Sequence, residues 1–135
     1  MKKNSMKRTA AIWLLTAFYR AQVLLVPSRK LEKSWGQRDA ESPEHAEPWH
    51  YRYACLVADE VTRVADKTPW ESKCLVRALT VRYLLHRKGI KTTLYLGVGK
   101  DDNGKMIAHS WLRCGKMYVT GGNGDGYGVV AKFCR

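Results

Sequence analysis

Residues 74–98, CLVRALTVRYLLHRKGIKTTLYLGV, change their periodicity at Gly89. Before Gly89 the apolar residues recur every three to four positions, which is typical of a helix from Cys74 to Lys88. After it, the run from Thr93 to Val98 has the period of two that predicts a strand. The chain therefore passes from helical to extended structure at this point.

The residues after Val98 continue the extended pattern. Asp101-Asp102-Asn103-Gly104 is typical of a hairpin turn, and Gly115-Lys116 of a second tight turn. Three more strands are predicted, over Met106 to Arg113, Met117 to Thr120 and Tyr127 to Phe133. Helices followed by a small antiparallel sheet define an α+β fold.

The residues before Cys74 predict two further helices. The first runs from Thr9 to Val26, with a core-facing stripe of Ile12, Leu15, Tyr19, Val23 and Val26. Its other faces are also apolar, so we expect it to be buried or docked on a partner rather than to lie on a membrane. A second helix begins near Pro48, after a polar connector from Glu32 to Glu47. We accordingly divide the chain into residues 1–47, a helix and connector, and residues 48–135, the core.

Composition limits the partners and the compartment. The 135 residues carry a net charge of +12, which favours an anionic partner such as an acidic peptide. The basic residues are scattered, with no basic element bearing interleaved aromatics, so we expect no nucleic acid. The first helix shows no cleavage site and its uninterrupted apolar run is too short for a bilayer, so a cytoplasmic protein is predicted. Four widely spaced cysteines without a CxxC pair predict free thiols and no metal site.

Cys74 and His109 form the combination that carries chemistry. The unpaired N–H groups and the dipole at a helix N-terminus favour the thiolate of a cysteine placed there. A histidine beside that cysteine can act as base and then as acid in acyl transfer. Either residue alone is more often structural. Trp111, two residues after His109, lies on the same face of its strand and either walls the site or packs in the core.

The helix-first order, with the cysteine opening the central helix and the histidine on a later strand, resembles the papain-like or transglutaminase-like arrangement. Residues 74–98 together with AHSWLRCGKMYVTGG at 108–122 resemble the transglutaminase-like proteins of lasso-peptide biosynthesis. These are leader peptidases that stand alone when the leader-recognition domain is a separate chain. The matching positions are Cys74-Leu75, Ala78-Leu79, Leu84-Leu85, Arg87, Gly89-Ile90, Gly97-Val98, Ala108-His109, Trp111 and Gly115.

The resemblance implies a cysteine endopeptidase that removes the leader from a lasso-peptide precursor through a thioester. The freed core amine would then be joined to an acidic side chain by a separate cyclase. The implied partners are the precursor peptide, the leader-recognition protein and the cyclase, and no cofactor is needed. A peptide-binding scaffold without activity and a transglutaminase-like amidase or acyltransferase remain alternatives.

The resemblance also assigns roles within the site. Cys74 is the nucleophile and His109 the general base and acid, with N–H groups at the helix start as an oxyanion hole. An acidic third residue is expected on the following strand, yet Thr120 to Gly122, opposite His109, include no carboxylate. Asp125 is therefore favoured, with Asn123 or a bare Cys74–His109 dyad as alternatives. The expected substrate-binding residues are Trp70, Trp111, Gly121 and Gly122.

Overall fold

The structure is a computed structural model that describes residues 2–70 and 72–135, without the side chains of residues 2–5 and 28. The helices are α1 Lys2–Leu25, α2 Ser28–Glu32, α3 Pro48–Ala65 and α4 Cys74–Arg87. The strands are β1 Gln37–Arg38, β2 Thr93–Lys100, β3 Met106–Cys114, β4 Met117–Thr120 and β5 Gly128–Cys134. The predicted α+β class is confirmed.

All strands of the described chain join one antiparallel sheet, in the order β1-β5-β2-β3-β4. The predicted hairpin between β2 and β3 is present, since the Gly104 N–H donates to the Asp101 carbonyl at 2.9 Å. The register of β2 and β3 places Gly97 opposite His109. This pairing fixes the histidine near the middle of the sheet.

Two local predictions are wrong. The first helix begins at Lys2 rather than Thr9, and Arg8, before Thr9, pairs with Glu60 of α3. The stretch from Glu32 to Glu47 is also more than a connector, since Gln37 and Arg38 pair with Cys134 and Phe133 as β1. These pairing partners are nearly a hundred residues away in the chain, so no local sequence pattern predicts the strand.

The helices share one hydrophobic core with the sheet. Helix α4 packs against α1, α3 and β3 and contributes Val81 and Leu85, both fully buried. Ile12 of α1 and Trp35, which follows α2, belong to the same buried cluster as Val57 of α3. The division at residue 47 stays a prediction, but residues on both sides of it build one core.

A partly buried ion pair holds α1 to α3. Glu60, 4% exposed, accepts hydrogen bonds from Arg8 at 2.6 Å (Nε) and 2.7 Å (Nη2). Other apolar side chains of α1 are exposed, with Trp13 45%, Leu14 62% and Phe18 53% exposed. In the described part of the chain, no helix combines the length and the apolar character that crossing a bilayer requires.

Candidate active site

Cys74 is the first residue of α4 and lies in a cleft. Lys73 precedes it in an extended conformation (φ −83°, ψ −173°), and no side-chain hydrogen bond caps the helix there. The cleft has a volume of about 470 Å³ and is lined by Thr62, Ser72, Lys73, Cys74, Arg77 and Gly121, among others. The half-buried thiol of Cys74 thus lies at the first position of a helix, in the wall of a cleft and beside the free backbone N–H groups of the helix start.

Polar contacts hold the segment that leads to Cys74. The Arg77 guanidinium donates to the Ser72 carbonyl (Nε, 2.6 Å) and to Asp66 Oδ1 (Nη2, 2.6 Å). The hydroxyls of Thr68 and Ser72 lie 3.0 Å apart. Arg77 therefore ties the end of α3 to the residues just before the cysteine.

Trp70, predicted to bind substrate, lies against α1. Its indole N–H donates to the Thr16 hydroxyl at 3.2 Å, and its ring meets Trp13 edge-on with centroids 4.5 Å apart. It does not line the cleft that contains Cys74. The structure thus gives Trp70 a packing contact between the first helix and the cysteine segment.

His109 is held by a backbone carbonyl. Its Nε2 lies 2.6 Å from the Gly121 carbonyl oxygen. A carbonyl oxygen only accepts hydrogen bonds, so Nε2 carries the proton and, in the neutral ring, Nδ1 carries the lone pair. This assignment follows from the partner rather than from an observed hydrogen. Nδ1 is the nitrogen left to act as a base.

Aromatic rings support the imidazole. Tyr127 stacks on His109 with centroids 4.7 Å apart, and Trp111 does so at 5.9 Å. Trp111 is 3% exposed and also stacks on Tyr95, so it both packs in the core and contacts the imidazole. Gly97 makes room for it, because a Cβ there would lie 2.7 Å from the Trp111 ring.

The predicted site residues did not include Tyr95, Gly97 or Tyr127, although Gly97 was among the positions that carried the resemblance. Tyr95 and Gly97 alternate along β2, and their period-two spacing opposite Trp111 and His109 was the available signal. Tyr127 lies outside the strands, in the segment before β5, and had no comparable signal. These three residues complete the support of the histidine.

Gly121 connects the histidine to the cleft. It lines the cleft with Cys74, while His109 does not line it and reaches it through the Gly121 carbonyl. Its φ of +74° and a Cβ position that would collide with the Ser110 carbonyl both require glycine. Gly122, the other glycine predicted to bind substrate, is exposed and its Cβ position has no neighbour.

Asp125 and Asn123 bond to each other. The Asn123 Nδ2 donates to Asp125 Oδ2 at 3.2 Å, and the Asp125 N–H donates to Asn123 Oδ1 at 3.0 Å. Between these side chains and His109 the described residues show no hydrogen bond. The structure therefore brings Cys74 and Gly121 to one cleft and His109 to Gly121, and it leaves the Asp125 carboxylate in its own turn.

In the two described ranges, no cluster of three or more His, Cys, Asp or Glu side chains has the geometry to bind a metal ion. All four cysteines carry free thiols, with Cys55 exposed and Cys114 buried. Burial raises the pKa of the Cys114 thiol, which disfavours its thiolate.

The family model described as the transglutaminase-like superfamily matches residues 12–132. The chain therefore belongs to the transglutaminase-like superfamily, and the match includes most of α1 as well as the sheet. Membership indicates cysteine-dependent chemistry of the protease or acyltransferase type. Comparison with curated proteins and with solved structures gives no match.

Proposed function

We propose that this protein is a cysteine endopeptidase that cuts the leader from a lasso-peptide precursor. The observation that carries the proposal is the position of Cys74, at an uncapped helix start in a cleft shared with Gly121, whose carbonyl holds His109. The superfamily supports cysteine-based acyl transfer, and the resemblance of residues 74–98 and 108–122 supports the lasso-peptide substrate.

The reaction begins with attack by sulfur. His109 accepts the Cys74 proton on Nδ1, and the thiolate attacks the carbonyl carbon of the scissile amide. The N–H groups in the first turn of α4 stabilise the negative oxygen of the tetrahedral intermediate. His109 then gives its proton to the leaving amine of the core peptide, and the leader remains as a thioester on Cys74.

Hydrolysis completes the cycle. His109 takes a proton from water, the hydroxide attacks the thioester, and the thiol returns with the leader carboxylate as the second product. Throughout, the Gly121 carbonyl accepts the Nε2 proton and keeps Nδ1 available for transfer. This main-chain acceptor takes the orienting role in the proposed site, in place of Asp125.

The partners follow from the proposed substrate. A separate leader-recognition protein presents the precursor, and a cyclase uses the freed core amine. The net charge of +12 suits an acidic leader or an acidic face of the recognition protein. Lys73 and Arg77 bring part of that charge to the cleft itself.

Mass spectrometry of a precursor incubated with its recognition protein tests the proposal. Wild type is compared with Cys74→Ala and with Cys55→Ala, which removes an exposed thiol on α3. We expect a single cut between leader and core with wild type and Cys55→Ala, and none with Cys74→Ala.

Three other outcomes contradict the proposal in different ways. Cleavage by Cys74→Ala removes Cys74 from the chemistry. A leader joined to an added amine, in preference to the hydrolysed leader, identifies an acyltransferase. A peptide that binds to all three proteins and stays whole identifies a binding scaffold.

A further inference from the structure

Arg82 is a buried charge without a hydrogen-bond partner. It lies on α4 and is 3% exposed, and its Nε, Nη1 and Nη2 have no acceptor among the described residues. Burying a guanidinium is costly unless an anion or several acceptors compensate for the lost water. This arginine is not used by the proposed reaction, so its burial calls for another explanation.

Trp35 presents a second unpartnered donor at the same place. The residue is 4% exposed, and its indole N–H has no acceptor in the described chain. Trp35 and Arg82 both line a pocket of about 170 Å³, together with Arg135, Tyr19 and Ser34. Guanidinium and indole groups only donate hydrogen bonds, so what these two side chains lack is an acceptor.

The charge of the pocket is positive. Arg135 also contributes to its wall, and no Asp or Glu is among its described lining residues. Burial, reinforced by repulsion from Arg135, lowers the pKa of Arg82 to about 10. A neutral water molecule would satisfy a donor but would leave this repulsion in place, whereas an anion removes it.

The pocket is separate from the cleft of Cys74, because the two share no lining residue. Arg82 follows Cys74 by eight positions, which is about 12 Å along the axis of α4. The volume of the pocket suits one small acidic group and is too small for a nucleotide. Walls of Phe18, Leu79 and Tyr83 suit the carbon chain that carries such a group.

We propose that Arg82, Trp35 and Arg135 form a binding site for a single carboxylate group, supplied by a small organic acid or by an acidic side chain of a peptide. The planar carboxylate matches the fork of the Arg82 guanidinium, and the Trp35 indole donates to the same group. The site binds without a covalent step and does not depend on the proposed peptidase activity.

The indole N–H resonance of Trp35 in a ¹H–¹⁵N NMR spectrum reports on the site directly. The protein is titrated with sodium acetate, with sodium phosphate and with sodium chloride at matched ionic strength, and Trp35→Phe assigns the resonance. We expect a saturable shift with acetate and none with chloride. Arg82→Met should lose the shift, and Arg87→Met, on the exposed end of the same helix, should keep it.

A second titration distinguishes the two sources of the carboxylate. A short peptide with one Glu is compared with the same peptide carrying Gln and with acetate. Saturation by the Glu peptide at a concentration at least tenfold below that of acetate identifies a peptide side chain. Saturation by acetate at an equal or lower concentration identifies a small acid.

Several results overturn the proposal. They are the absence of a saturable shift with either carboxylate, a shift with phosphate alone, or a shift that persists in Arg82→Met. If Arg82→Met does not fold, Arg135→Ala at the exposed wall serves instead and should weaken acetate binding several-fold. Unchanged binding in Arg135→Ala then counts against the site. Using Cys74→Ala protein throughout makes each result independent of the peptidase proposal.

Discussion

The two halves of the proposed catalytic pair are held in different ways. The His109 imidazole stacks on the ring of Trp111. Trp111 is 3% exposed and stacks in turn on Tyr95 of the neighbouring strand. The segment before Cys74 depends instead on Arg77 and Asp66, whose side chains are 29% and 59% exposed. The histidine is thus supported by buried aromatic packing, whereas partly exposed hydrogen bonds help to hold the segment before the cysteine. Substitutions of residues that support the histidine should therefore mainly lower stability, whereas substitutions of residues that support the cysteine should mainly lower activity.

Trp111→Ala should have the largest effect, because it removes a buried ring from the histidine side. Truncating a buried aromatic residue costs about 3–5 kcal/mol of unfolding free energy. Urea denaturation measures this loss, and Trp49→Ala, at a residue 41% exposed, should change stability by about 1 kcal/mol or less. Equal losses in the two variants would show that the histidine strand is not supported by the core.

Arg77→Met, on the cysteine side, should lower activity much more than stability. The variant loses two hydrogen bonds that position Ser72 and the start of α4, so kcat/KM should fall about 10- to 100-fold through misplacement of the thiol. Because the ion pair is exposed, stability should change by only about 1–2 kcal/mol. Steady-state kinetics with urea denaturation tests both values, with Arg87→Met as the matched control. A stability loss like that of Trp111→Ala would end the distinction between the halves.

Asp125→Ala should have the smallest effect. The His109 Nε2 proton already has an acceptor in the Gly121 carbonyl, so kcat/KM should fall less than about tenfold. Asn123→Ala, which removes the other half of the same turn, should behave similarly. A loss of about 100-fold or more in Asp125→Ala alone would place this carboxylate beside the imidazole during catalysis.

The sequence predicted those elements whose determinants are local. Helix α4 begins at Cys74 as expected, since the apolar spacing and Gly89 define both of its ends. The turn at Asp101 to Gly104 was likewise predicted from its residue types. By contrast, the short helix Ser28–Glu32 buries only Leu31 among its described side chains, so it has no periodic signal.

In the candidate site too, the features with local determinants were predictable and the others were not. Cys74 and His109 could be named from residue type and position, and Trp111 lies on the face of the strand that its spacing predicted. The acceptor for His109 could not be named, because the Gly121 carbonyl is a main-chain atom that any residue possesses. Only the fold of the Thr120–Gly122 turn brings that atom to Nε2.

The contact of Trp70 with Thr16 and Trp13 joins the first helix to the segment that leads to Cys74. Fraying of α1 past Thr16 removes the partners of Trp70, so the segment before Cys74 loses one of its supports. We therefore expect the helix and the cysteine segment to open together in hydrogen exchange. A protease cut within α1 should therefore loosen the surroundings of Cys74, a residue distant from the cut in the sequence.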